Sequence, residues 1–206
     1  MNNNKKTAEA YYDRQQREMI RKMPERREEI SPEILEDLGN YTFFRICVRA
    51  DRRIYAYEAD KMIFLQILDK KISRYGFELV AFAVLDDEFD AILACRDELH
   101  SGSDMLREIE KAYDQYYKEK RDHTCCVKET VGWSTLPADK VAEACNDIHF
   151  LAVVQGYASD AADFWWSSLN QYKGRYEWTF LDNRWVGIVR QILQASAEDP
   201  GGSSRA

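Results

Sequence analysis

The strongest constraint on the fold is a pair of apolar runs separated by a short acidic segment. The runs are Phe77 to Leu85 and Phe89 to Ala94, and the acidic segment between them is Asp86-Asp87-Glu88. Two runs of strand length joined by a few polar residues are typical of an antiparallel β-hairpin. Because an isolated hairpin is barely stable in water, this hairpin needs further strands or helices packed against it.

The residues around this hairpin alternate between strand and helix patterns. We predict, in chain order, a strand over Tyr41 to Val48, a helix over Glu58 to Tyr75 closed by Gly76, the hairpin, a helix over Met105 to Lys120, a strand around Cys125 to Val131, a helix over Pro137 to Leu151 and a last helix over Asn183 to Gln194. The order β-α-β-β-α-β predicts an α+β protein with a ferredoxin-like core, in which an antiparallel sheet carries helices on one face.

The chain divides into three parts. Residues 1–38 are a charged preface, and the i,i+4 ion pairs between Tyr11 and Met23 and the Ser31-Pro32 helix start predict a helical extension. Residues 39–194 form the main domain. Residues 195–206 include Gly201-Gly202-Ser203-Ser204 and predict a flexible tail.

Composition limits the classes of function. The 206 residues include 29 Lys plus Arg and 36 Asp plus Glu, for a net charge of −7. This balance argues against non-specific binding of a polyphosphate, so any nucleic-acid binding needs a local basic face. The five cysteines are an odd number and are expected to be reduced thiols. With no long apolar run and no apolar leader after Met1, we expect a soluble cytoplasmic protein with no membrane partner.

Four stretches of the main domain carry a resemblance to a known family. They are Tyr41 to Arg53, Phe82 to Leu93, Ile148 to Gly156 and Trp165 to Tyr172. In order and spacing they resemble the REP-associated tyrosine transposases, bacterial mobile-element enzymes of the HUH single-tyrosine class that cut and rejoin single-stranded DNA. The resemblance covers roughly residues 40–172 and implies a ferredoxin-like core of the HUH transposase type.

The chain departs from this family at the catalytic positions. The resemblance implies a metal-binding His-hydrophobic-His pair on the second hairpin strand, and here those positions are Glu88 and Asp90. Counting back without gaps from Ile148-His149 places the family's tyrosine nucleophile at Thr130. We therefore expect no catalytic residues and no cofactor. For Glu88 and Asp90 two interpretations stay open: a solvated acidic hairpin edge, or hard oxygen ligands for Mg²⁺ or Mn²⁺.

The arginines of the first strand and the loop after it are the candidate nucleic-acid-binding residues. They are Arg45, Arg49, Arg52 and Arg53. Arg45 and Arg49 share one side of the strand by its two-residue alternation, and guanidinium groups bind phosphates well. The alternative is a set of surface ion pairs with Asp51, Glu58 and Asp60.

Aromatic residues and one histidine complete the predictions. We expect Trp166 to pack into the core, and Trp165, Trp178 and Trp185 to form an exposed patch that favours a protein partner. We expect His149 to make a core hydrogen bond rather than to act in catalysis.

The sequence thus predicts a catalytically inactive, repurposed transposase-like protein that binds nucleic acid, with single-stranded or hairpin DNA as its partner. Two alternatives stay open. One is a protein-interaction module, with a protein partner or a homodimer, and the other is a nuclease that uses a divalent metal on Glu88 and Asp90.

Overall fold

The computed structural model describes residues 38–96, 102–121, 129–175, 178–179, 181 and 184–189. The predicted extension over residues 1–37, residues 125–128 of the predicted strand, and the tail from residue 195 lie outside these ranges. None of the helices within them is long and apolar enough to span a lipid bilayer.

The described elements follow the predicted β-α-β-β-α-β order. They are β1 (Thr42–Arg49), α1 (Glu58–Arg74), β2 (Phe77–Val84), β3 (Glu88–Cys95), α2 (Gly102–Arg121), β4 (Glu129–Leu136), α3 (Val141–Val154), α4 (Leu169–Tyr172) and the helical residues 184–189, named α5; two 3-10 turns are Ala138–Lys140 and Ala161–Asp163. Gly76 ends α1 with a φ of 72°, a conformation that glycine adopts without strain.

The four strands form one antiparallel sheet in the order β2-β3-β1-β4. The predicted hairpin is confirmed as β2 and β3, and β1 lies in the middle of the sheet, between β3 and β4. The predicted strand around residues 125–131 is confirmed over residues 129–131, but its predicted end was wrong, because β4 extends to Leu136. Trp133 anchors this later segment by stacking on Phe44 of β1 with 4.5 Å between ring centroids.

The prediction of helices on one face of the sheet was wrong, because helices cover both faces. On one face, Phe64 of α1 contacts Phe89 of β3 at 4.8 Å and Tyr113 of α2 at 5.3 Å between ring centroids. On the other face α3 packs against β2 and β3, and α5 places Trp185 against Phe43. Side chains therefore meet protein on both sides of the central strands, which explains why β3 is buried along its whole length.

The tryptophans are divided between core and surface. Trp166 is buried as predicted. The predicted exposed patch was wrong for Trp178 and Trp185, which are 2% and 0% exposed, whereas Trp165 is 47% exposed. The ring of Trp178 packs on Phe82, and the indole N–H of Trp185 donates to Glu78 Oε2 at 2.7 Å, so both indoles find partners inside.

The segment that carries these tryptophans also covers the edge of the sheet. Val84 N–H donates to Trp166 O at 2.9 Å, and Ser168 N–H donates to Phe82 O at 3.0 Å. These bonds satisfy backbone groups of β2 that an edge strand otherwise exposes.

Candidate functional site

Five polar side chains of β1 and β3 share the sheet face that α3 covers. They are Arg45, Cys47, Arg49, Glu88 and Asp90. The register pairs Arg49 with Glu88 and Cys47 with Asp90, and alternation along each strand keeps every second side chain on this face. We call these five residues the arginine-carboxylate array.

The strongest contact of the array joins Arg45 to Asp90. Arg45 Nε donates to Asp90 Oδ1 at 3.2 Å, and Nη2 donates to Oδ2 at 2.7 Å, which is a bidentate pair. Burial raises the pKa of Asp90, and the bonds from Arg45 offset that rise only in part. The same hydrogen bonding raises the pKa of Arg45, so the guanidinium stays charged.

A second pair joins Arg49 to Glu88. Arg49 Nη2 lies 3.1 Å from Glu88 Oε1, and the Cys47 thiol donates to the same oxygen at 3.4 Å. Burial, followed by the charges of Asp90 and Glu88, raises the pKa of Cys47 to about 12. Cys47 is therefore a protonated donor at neutral pH and not a nucleophile.

The sequence analysis missed a third carboxylate near the array. Asp147 projects from α3, and its Oδ2 lies 3.6 Å from Arg45 Nη1. The signal was present in the chain, since Asp147 directly precedes the Ile148-His149 motif. Only the packing of α3 over β3 brings this residue to Arg45.

The array does not fit a divalent metal. The interpretation of Glu88 and Asp90 as a solvated edge was wrong, because they are 6% and 2% exposed. Both oxygens of Asp90 and one of Glu88 accept hydrogen bonds or ion pairs from arginine. Mg²⁺ prefers six oxygen ligands in octahedral geometry, and within the described ranges no three His, Cys, Asp or Glu side chains are arranged to hold a metal.

The other two predicted arginines lie where β1 leaves the sheet. Arg53 donates through Nε and Nη2 to Asp86 Oδ2, and the buried Lys61 donates to Oδ1 of the same carboxylate at 2.6 Å. Burial tends to raise the pKa of Asp86, but these two cations outweigh it and lower the pKa. Arg52 Nε lies 3.6 Å from Asp51 Oδ1, which is one of the predicted acidic partners.

The loop after β1 rests on the turn of the hairpin. Ala50 N–H donates to Asp87 O, and Tyr55 N–H donates to Asp86 O, both at 2.8 Å. These bonds hold Arg52 and Arg53 beside the end of β1, next to Arg49. We call Arg49, Arg52 and Arg53 the arginine cluster.

The predicted nucleophile position lies on the neighbouring strand. The backbone of Thr130 pairs with Val48, one residue before Arg49, and its side chain is not described. The assignment of Thr130 stays a prediction.

His149 is buried on α3 and makes the expected core hydrogen bond. Its Nε2 forms a hydrogen bond with Ser168 Oγ at 2.8 Å, and the same hydroxyl accepts from Phe82 N–H at 3.0 Å. Burial, with a smaller effect from Lys173, lowers the pKa of His149 to about 3, so the ring is neutral. The pair ties α3 to the segment that covers β2.

Comparison with known proteins places this architecture in a class. The sequence matches no family model and no curated protein. The structure of a REP-associated tyrosine transposase bound to a REP hairpin matches with a TM-score of 0.53 and 14% identity, over 70% of this chain and 92% of that chain. The described chain therefore has an α+β fold of the HUH transposase type.

A second solved structure is a candidate transposase from Deinococcus radiodurans R1. It matches with a TM-score of 0.39 and 18% identity, over 57% of this chain and 88% of that chain. The resemblance to the REP-associated tyrosine transposases is confirmed at the level of the fold by the first structure.

Proposed function

We propose that this protein binds single-stranded or hairpin DNA without cutting it, and that the arginine cluster contacts the phosphates. The observation that carries the proposal is the orientation of these guanidinium groups. Arg53 holds Asp86 through Nε and Nη2, and its Nη1 makes none of these bonds while its side chain is 69% exposed. Arg49 and Arg52 are likewise paired on one side and open to solvent on the other.

Such pairing is compatible with phosphate binding. A guanidinium has five N–H donors, so one carboxylate leaves donors for a phosphate. The carboxylate also fixes the direction of the remaining donors, which reduces the entropy lost on binding. Phosphate contacts of this kind position a nucleic acid without reading its sequence. The structure that shares this fold was solved with a DNA hairpin, which supports the same class of ligand here.

The absence of cleavage is the second part of the proposal. Where the resemblance implies a metal pair, this chain has carboxylates neutralised by Arg45 and Arg49. Where it implies a tyrosine, the chain has Thr130. We propose that no cofactor takes part and that the protein is not an enzyme.

The test is a binding titration with a labelled DNA hairpin that carries single-stranded flanks, at about 50 mM salt, where phosphate contacts are strongest. We expect Arg52→Ala with Arg53→Ala to weaken binding about tenfold and to lower the salt slope by about 1.4, for two lost single-strand contacts. Asp86 keeps Lys61 in this variant, so the fold is preserved.

The matched control is Arg74→Ala with Arg107→Ala. It removes two exposed arginines of α1 and α2, and so changes the net charge equally. Equal weakening by both double variants, or no binding by the wild type, overturns the proposed interface. Covalent or cleaved DNA in the presence of Mn²⁺ overturns the non-catalytic part.

A second candidate function is a protein-interaction surface. It includes Trp165, which is exposed as predicted. Val154, Tyr157 and Trp165 are large exposed apolar residues of one short stretch, and the rings of Tyr157 and Phe164 lie 6.4 Å apart. Exposed apolar patches mark interaction sites. A dimer seen by sedimentation velocity and lost in Trp165→Ser supports this function, whereas a monomer at every concentration counts against self-association.

A further inference from the structure

Two buried carboxylates on one sheet face pose an electrostatic problem. Glu88 and Asp90 lie two residues apart on β3, on the same side, and both are almost fully buried. A buried charge without a partner is strongly destabilising, and two like charges add repulsion. The face therefore requires positive charge, either from the chain or from a bound cation.

The chain supplies this charge from the adjacent strand. Arg45 binds both oxygens of Asp90, and Arg49 binds Glu88, so each carboxylate has its own guanidinium. A guanidinium is charged at every accessible pH, and it matches a carboxylate in geometry. Asp147 adds a second negative partner for Arg45 from α3.

We propose that Arg45 and Arg49 are the resident cations of this face and stand in place of a divalent metal, so that the stability of the protein depends on guanidinium groups and not on Mn²⁺ or Mg²⁺. A metal ion on Asp90 requires oxygens that Arg45 already binds. Cys47 directly faces Asp90 in the register, and its thiol donates to Glu88 Oε1 at 3.4 Å, so this carboxylate oxygen accepts from Cys47 as well as from Arg49.

The first test measures metal binding by the full-length wild-type protein. We expect the melting temperature to stay the same, within about 1 °C, in about 1 mM MnCl₂ or EDTA, and the electron paramagnetic resonance signal of free Mn²⁺ to be undiminished. Stoichiometric Mn²⁺ binding that Asp90→Asn abolishes overturns the inference.

The second test measures how much the stability of the protein depends on these two arginines. Arg45→Met removes one cation and leaves Asp90 buried without its partner, and we expect the melting temperature to fall by about 5–10 °C. Adding Asp90→Asn removes the orphaned charge and recovers at least half of that loss. Arg74→Met is the matched control at an exposed pair and changes the melting temperature by less than about 2 °C.

If Arg45→Met does not fold, the second arginine of the face provides the same test. Arg49 is half-exposed, so Arg49→Met is milder, and Glu88→Gln is expected to recover its loss. Unchanged melting temperatures for both arginine variants overturn the inference, as does loss without recovery in both double variants. These measurements use no DNA, so they fail or succeed independently of the proposed DNA binding.

Discussion

The buried His149 predicts a specific loss of stability in mild acid. In the unfolded chain a histidine has a pKa near 6.5, whereas burial lowers the pKa in the folded protein to about 3. Between these values the unfolded state binds a proton that the folded state does not. The contribution of the neutral His149 to stability is therefore fully present above the unfolded pKa, and it is lost as the pH falls from about 6.5 towards 3.

The magnitude follows from the two pKa values. At about pH 5 the linkage relation gives a loss of about 2 kcal/mol relative to about pH 7.5. The assay is urea unfolding at both pH values for the wild type and for His149→Gln. The variant side chain does not titrate, so its pH dependence is smaller by about 2 kcal/mol. Titration of other groups, including Asp90, is common to both proteins and cancels in the difference.

Two results refute this reasoning. The first is an equal loss of stability by wild type and His149→Gln between the two pH values. The second is an NMR titration of the wild type in which the imidazole of His149, assigned against that variant, has a midpoint near 6. The other two histidines, at positions 100 and 123, provide an internal comparison.

Three further predictions concern packing and thiol chemistry. Gly102→Ala places a methyl group against the ring of Trp133 and is expected to cost about 1–3 kcal/mol in urea unfolding, whereas Gly187→Ala meets no atom within 4 Å and serves as the neutral control. Cys47, with its pKa near 12, is expected to react with iodoacetamide at about pH 8 roughly a thousand-fold more slowly in the folded than in the unfolded protein, as followed by mass spectrometry, and equal rates contradict the assignment. Ser168→Ala leaves a buried backbone N–H of β2 without its acceptor and is expected to lower the free energy of unfolding by about 1–3 kcal/mol, while an unchanged urea midpoint contradicts the role of this hydroxyl.

Local patterns were enough to predict most of the secondary structure. The hairpin and α1 end within two residues of their predicted positions, because apolar runs, an acidic turn and Gly76 act over short distances in the chain. The predicted end of β4 was wrong because Gly132, Ser134 and Thr135 weaken the apolar pattern after Val131. That strand depends on pairing with β1 and on the stacking of Trp133, which are contacts distant in sequence.

The sequence also indicated the candidate site residues, but not their partners. It singled out Glu88, Asp90 and the four arginines, and it expected a core hydrogen bond for His149. It paired the arginines with acidic residues that are near in the chain, such as Asp51, whereas Arg45 and Arg49 pair with Asp90 and Glu88 of another strand. It also assigned Trp178 and Trp185 to the surface, although both are buried.

By itself, therefore, the sequence determined the order of the elements, the α+β class and the presence of opposite charges on β1 and β3. Propensity and alternation are properties of neighbouring residues, and the chain displays them directly. Only the tertiary structure decided that Arg45 contacts Asp90 and Asp147, which follow it in the chain by 45 and 102 positions. Sheet register and helix packing bring these groups together. Burial then makes it costly to leave any of these charges unpaired, because the cost of an unpaired ion depends on how much water is excluded around it.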